Sequence, residues 1–324
     1  IYIIYLGGIL MDYRKIIKFG NSSHILSLPK DWLRKNKLKK GDLVYISENG
    51  NDELVLSPQL KDENQESEIT ITENSSIDEL HRKLVSSYIA GYNIINIKLK
   101  NSNNIDIIKN FLESLMAFEI MEQTPNEIKA KDLLNIKEIS MEKIIRRIDT
   151  ITRSMMEDAK LSYKSNNYEN IYKRDFDINK LTFLSYRIIK KCVEYPKITE
   201  LVGIKYSKLI EEWLLVFYLE KIADEIKRIS RYLTRLKNNS DKVKEVMNIY
   251  SEVQDDFSKC MNAYYKNDLI IAHEIMDKKD DIMKKCNALL GKNTNQYIFN
   301  IIDRTKAIEK YIRDMAILIY QEKG

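Results

Sequence analysis

Between Tyr13 and Lys40 the chain carries nine bases, Arg14, Lys15, Lys18, Lys30, Arg34, Lys35, Lys37, Lys39 and Lys40, against one acid, Asp31. That stretch nets +8, while all 324 residues together net +5, so the remainder is slightly acidic. The chemistry open to such a cluster is neutralisation of a polyanion, above all a phosphate backbone. Other reactive side chains are scattered. His24, His81 and His273 have no HxxxH or ExxH partner and read as surface or structural. Cys192, Cys260 and Cys286 form no CxxC pair and read as small core residues in a reducing, cytoplasmic setting. The sequence holds no P-loop, Rossmann fingerprint, nucleophile elbow or kinase signature, so no motif supports an enzyme.

The elements that must position the bases are short. Residues 13–19 alternate imperfectly as a strand, and Gly20-Asn21-Ser22-Ser23 supplies a turn. His24–Leu28 reads as a second strand, and Pro29 opens a helix to Asn36 anchored by Trp32 and Leu33. Lys40-Gly41-Asp42 turns the chain into Leu43–Glu48, which Asn49-Gly50-Asn51 joins to Glu53–Ser57 as a hairpin. So small a unit has little core of its own, and a second copy would supply it. Residues 1–10, IYIIYLGGIL, are apolar but shorter than the roughly 20 residues that span a bilayer. They lack a basic leader, and Met11 directly before the first strand makes them read as an upstream extension.

Residues 59–67 are polar and unpatterned, a linker. Residues 68–137 alternate element types: strand at Ile69 and Ile71, helix Ile77–Gly91, strand Ile94–Leu99, helix Ile105–Met116, and strands Phe118–Thr124 and Ile128–Ala130. This is a small α/β layer whose lone Gly91 cannot form a phosphate loop. From residue 138 to 322 the chain is helical. Apolar residues recur at alternating threes and fours from Leu215 to Leu236, from Val243 to Tyr264 and from Ile298 to Ile319. Six helices are expected, Ser140–Lys164, Tyr168–Glu194, Lys205–Lys237, Lys242–Tyr265, Leu269–Leu290 and Asn295–Gln321, as two repeats of three, about 140–237 and 242–321. The fold class is thus mainly α, with a small β/α head.

The run RKIIKFGNSSHILSLPKDWLRKNKLKKGDLVYI resembles the SpoVT/AbrB-type swapped-hairpin DNA-binding domain over residues 11–58. It has the basic first strand, the glycine turn, the S-L-P-K-x-W helix start and the L-x-x-G-D turn. The resemblance implies an obligate homodimer that binds double-stranded DNA through Arg14, Lys15, Lys18, Asn21, Ser22 and Ser23.

The phrases RDFDINKLTFLSYRI and LEKIADEIKRIS, with the echo of Leu219-Glu220-Lys221 in Ile308-Glu309-Lys310, resemble the PhoU family of phosphate-uptake regulators. The whole order resembles archaeal phosphate regulators that fuse the two parts. That family often holds iron or zinc clusters through carboxylates spaced i, i+4, which share one helical face. Carried over by position, Glu220 with Asp224 and Asp277 with Asp281 match, whereas Asp175 meets Asn179 and Glu309 meets Arg313. The bland alternative for Glu220 and Asp224 is a solvated charged face shared with Lys227 and Arg231, with Asp224 and Arg228 as an ordinary ion pair.

Together the resemblances imply a cytoplasmic regulator of phosphate uptake, its dimeric head on DNA and its bundle sensing phosphate status. The rival is an adaptor whose bundle docks a phosphate transporter ATPase or a sensor kinase. A carboxylate di-metal enzyme would call for Glu-x-x-His pairs, which the bundle helices lack.

Overall fold

The computed structural model describes the chain apart from residues 1, 7–8, 49–53, 60–65, 74–75, 196–197, 237–240, 291–294 and 321–324. The Asn49-Gly50-Asn51 turn and most of the 59–67 linker therefore lie outside the described residues. The chain divides into two compact units, Ile1–Glu63 and Asn64–Gly324.

Among the described residues the first unit has three antiparallel ribbons and one short helix. β1 (Tyr2–Leu6) pairs with β2 (Ile9–Tyr13), so residues of the expected upstream extension are built into a hairpin. β3 (Ile17–Phe19) pairs with β4 (Ser23–Ile25), and α1 (Lys30–Lys35) follows. β5 (Tyr45–Glu48) pairs with β6 (Leu54–Ser57). The expected strand 13–19 is interrupted at 14–16, where the chain passes from one ribbon to the next. Pro29 caps α1 instead of starting it: its φ is −62°, and its carbonyl accepts the Leu33 amide at 3.1 Å. Gly20 turns the β3–β4 ribbon at φ +67°, a left-handed conformation that a side chain disfavours.

In the second unit, β7 (Glu68–Thr72), β8 (Ile94–Lys98), β9 (Phe118–Thr124) and β10 (Glu127–Asp132) form a sheet in the order β7-β8-β10-β9. β7 and β8 are parallel, so they need a crossover, and α2 (Ile77–Ile89) supplies it. Ser76 caps α2 by accepting the Glu79 amide at 3.2 Å. α3 (Ile105–Glu113) packs with α2 over a core of Leu84, Tyr88, Ile95, Ile97, Ile108 and Ile128.

The remaining helices are α4 (Met141–Leu161), α5 (Tyr168–Glu194), the short α6 (Ile198–Val202), α7 (Leu209–Leu233), α8 (Asp241–Lys266), α9 (Leu269–Leu290) and α10 (Gln296–Tyr320). α7 packs on α4 and α5, α10 packs on α8 and α9, and α7 lies against α10. The expected three-plus-three arrangement is present, with α7 and α10 as the shared middle. The third long helix begins at Leu209 instead of Lys205, because α6, Gly203 at φ +73° and a 3-10 turn at Tyr206–Lys208 intervene. The three seams are buried: Leu219, Ile222, Ile226 and Ile229 on α7, Tyr250, Val253 and Phe257 on α8, and Ile308, Ile312 and Met315 on α10. The three cysteines are buried too, and burial pushes the Cys192 thiol up to about 12 and the Cys286 thiol to about 11. Such thiols stay protonated and inert, as core residues should. Among the described residues no helix is long and apolar enough to cross a membrane.

Candidate functional site

Of the nine bases, Lys18 lies on the β3–β4 ribbon, which has two different faces. In the β3–β4 register Ile17 opposes Ile25 and Phe19 opposes Ser23, while Lys18 opposes His24. Side chains alternate across a strand, so Ile17, Phe19 and Ile25 share one face and Lys18 and His24 the other. Asn21 and Ser22 form the turn, Ser23 opens β4, and Arg14 and Lys15 lie in the segment leading into β3. The ribbon thus brings Lys18, Asn21, Ser22 and Ser23 onto one short hairpin, with Arg14 and Lys15 just before it. Further along, Asp31 pairs with Arg34 at 2.5 Å, so one of the α1 bases is already balanced.

The apolar face of this unit is uncovered. From Tyr13 to Gln59, none of the described residues is buried, and Phe19 is 65% exposed, Ile16 71% and Leu43 72%. Isolated two-stranded ribbons are marginal in water, and the described side chains from Tyr13 to Gln59 form no core between them.

The carboxylates of the bundle are arranged differently from the expectation. On α7, Asp224 accepts from Lys227 at 2.7 Å and from Arg228 at 2.9 Å, and Glu220 lies 3.0 Å from Lys221. The Asp224–Arg228 pair follows the ordinary i, i+4 reading, but the face is not simply solvated. Lys227 also reaches Asp175 on α5 at 2.6 Å, and the Asp175 side chain is buried. Asn179 donates to the same Asp175 oxygen at 3.4 Å. Burial alone would lower the Lys227 pKa, but its hydrogen bonds to Asp175 and Asp224 outweigh that and hold it above the ordinary lysine value. On α9, Asp277 and Asp281 stand more than 70% exposed, Asp277 at 3.5 Å from His273 and Asp281 at 3.3 Å from Lys285. On α10, Arg313 lies 3.3 Å from Asp314, and Glu309 is fully buried with neither carboxyl oxygen hydrogen-bonded.

Among the described residues no three His, Cys, Asp or Glu side chains gather so as to hold a metal ion. Of the expected set, Glu220 and Asp224 face Lys221, Lys227 and Arg228, and Asp277 and Asp281 stand exposed beside His273 and Lys285. Spacing places two carboxylates on one face of a helix, but it does not say which side chains of that and the next helix reach them first. On α7 the answer is Lys227 and Arg228.

Arg187 has a position that no local pattern announces. Wholly buried on α5, it donates to the carbonyls of Tyr88 and Tyr92, the latter at 3.0 Å, and pairs with the Asp132 carboxylate. Its guanidinium also lies 4.8 Å from the centre of the Tyr88 ring. This one side chain ties the end of α2 and the end of β10 to the bundle. The histidines are structural or peripheral: His81 stacks on Phe111 at 4.2 Å, and burial lowers its pKa.

A comparison with curated proteins finds no match. In fold, the chain is similar to the crystal structure of PhoU from Pseudomonas aeruginosa, at 18% sequence identity and a TM-score of 0.48, over 55% of this chain and 93% of that one. Residues 17–64 match the family model described as antidote-toxin recognition MazE, a bacterial antitoxin, so the head is similar to a MazE/AbrB-type domain.

Proposed function

We propose that the chain is a homodimeric DNA-binding regulator of phosphate uptake, with no catalytic role. The observation that carries this reading is the two-faced head: Lys18 and His24 on one face of a ribbon, and Ile17, Phe19 and Ile25 uncovered on the other. A second copy covers the apolar face and doubles the charge offered to the phosphates. Arg14, Lys15 and Lys18 are the backbone contacts, Asn21 and Ser22 donate from the turn, and Ser23 donates from the end of the ribbon, where it opens β4 opposite Phe19. The family match over residues 17–64 spans Lys18, Asn21, Ser22 and Ser23 and supports a MazE/AbrB-type head; Arg14 and Lys15 lie just before it. The phosphate link rests on the bundle phrases at residues 174–188 and 219–230, and the bundle is the sensory part.

DNA binding followed by fluorescence anisotropy tests the head. Six cations removed from a dimer should flatten the slope of log K against log salt by about 5 in the Arg14→Ala/Lys15→Ala/Lys18→Ala variant. An unchanged slope would overturn the assignment of these residues. Mapping of bound genomic sites at high and low phosphate tests the sensory link. Recovery of a transporter subunit, with no DNA retained at physiological salt, would favour an adaptor instead.

A further inference from the structure

We infer that Lys227 is the resident cation of the bundle's first carboxylate site, standing where a divalent ion would have to stand. Its ammonium lies 2.6 Å from Asp175 Oδ2 on α5 and 2.7 Å from Asp224 Oδ1 on α7. It therefore bridges carboxylates of two helices, as a bound divalent cation does with oxygens at roughly 2.0–2.6 Å. The second Asp224 oxygen is taken by Arg228 at 2.9 Å, and Asn179 faces Asp175 with an amide donor at 3.4 Å. Arg228 continues the network to Glu225 at 2.7 Å, and Arg304 of α10 reaches the same carboxylate at 3.5 Å. A divalent ion entering here would meet two fixed positive charges and no idle oxygen of Asp224.

The second set of three helices reaches the same end by another substitution. Aligning Leu219-Glu220-Lys221 with Ile308-Glu309-Lys310 places Arg313 at the position of Asp224 and Ala316 at that of Lys227. There the acid itself has become the cation, and the position of the bridging lysine holds a buried alanine. Both halves thus carry their positive charge on the polypeptide. The consequence is a bundle held together without metal, whose α5–α7 contact is set by a tethered ammonium and does not respond to metal supply.

The test uses the full-length protein. Elemental analysis of the wild type for iron, zinc and manganese should find no stoichiometric metal, and EDTA should leave its melting temperature unchanged. Lys227→Ala leaves Asp175 and Asp224 facing each other with room between them. It should melt lower and bind Mn(II), followed by the loss of the free-ion electron paramagnetic resonance signal, on the order of tenfold more tightly than wild type. Mn(II) should also restore its melting temperature. Adding Asp224→Asn should abolish the gain, and Lys227→Arg, which keeps the charge, should show none. Stoichiometric metal in the wild type, or Lys227→Ala that binds Mn(II) no better than wild type, would overturn the inference. If Lys227→Ala does not fold, Lys227→Gln replaces it with the same expectations, and the wild-type measurement decides independently.

Discussion

Glu309 should make the bundle lose stability as pH rises toward neutrality. Its carboxyl is fully buried on α10 with neither oxygen hydrogen-bonded. Burial, and then the buried Asp256 of α8, push its pKa from 4.5 up to about 7, against the pull of Lys278 on α9 and Arg313 on its own helix. Glu252 of α8 adds a smaller push in the same direction. Below pH 4.5 the carboxyl is protonated in both folded and unfolded chains, and its contribution is fully present. Between 4.5 and about 7 the unfolded chain gives up the proton while the folded chain keeps it, so stability falls. At about 1.4 kcal/mol per pKa step the loss is on the order of 3 kcal/mol by pH 8. Glu309→Gln is isosteric and does not titrate. Whatever fixed cost the amide carries, the difference between variant and wild type should shift in favour of glutamine by that amount between pH 4.5 and pH 8. In a unit of this size that corresponds to roughly 6–10 °C in melting temperature. Paired thermal melts across this pH range supply the measurement. A difference between the two proteins that does not change with pH would refute the reasoning, as would one that grows in the opposite sense.

Arg187→Ala should cost about 3–5 kcal/mol in urea unfolding, since it removes the close partner of the buried Asp132 carboxylate, leaving Lys191 at 3.8 Å, and takes a donor from the carbonyls of Tyr88 and Tyr92. Arg187→Ala/Asp132→Ala should recover part of the loss, and a double variant no better than the single one would argue against the pair. Phe19→Asp places a charge on the uncovered apolar face of the head and should give a monomer by light scattering, with DNA affinity lost together with the dimer. Phe257→Ala, in the fully buried seam of α8, should destabilise the bundle by about 3–5 kcal/mol in urea unfolding while leaving the dimer intact. Gly20→Val forces a branched side chain to φ +67° and should weaken DNA binding while Gly20→Asn is tolerated, as anisotropy would show.

What the sequence by itself determined is what depends on near neighbours along the chain. The three-and-four spacing of Leu219, Ile222, Ile226 and Ile229 already defines a helix and the face it buries, because the period of an α-helix is a local property. The charge segregation of residues 13–40, the Gly20 turn and the α/β alternation of residues 68–132 were legible for the same reason. The partners of buried charges were not. Glu220-x-x-x-Asp224 reads equally as a metal pair or as a solvated face. What Asp224 meets fell to Lys227, three residues on, whose reach to Asp175 depends on how α5 and α7 are rotated and staggered. Arg187 meets Asp132, 55 residues earlier, only because the α/β layer packs on α5. Glu309 reads as one acid among many until α8 and α9 close over it and remove its water. Interhelical charge pairing needs sub-ångström placement of atoms far apart in sequence, and that is set by the packing of the whole bundle.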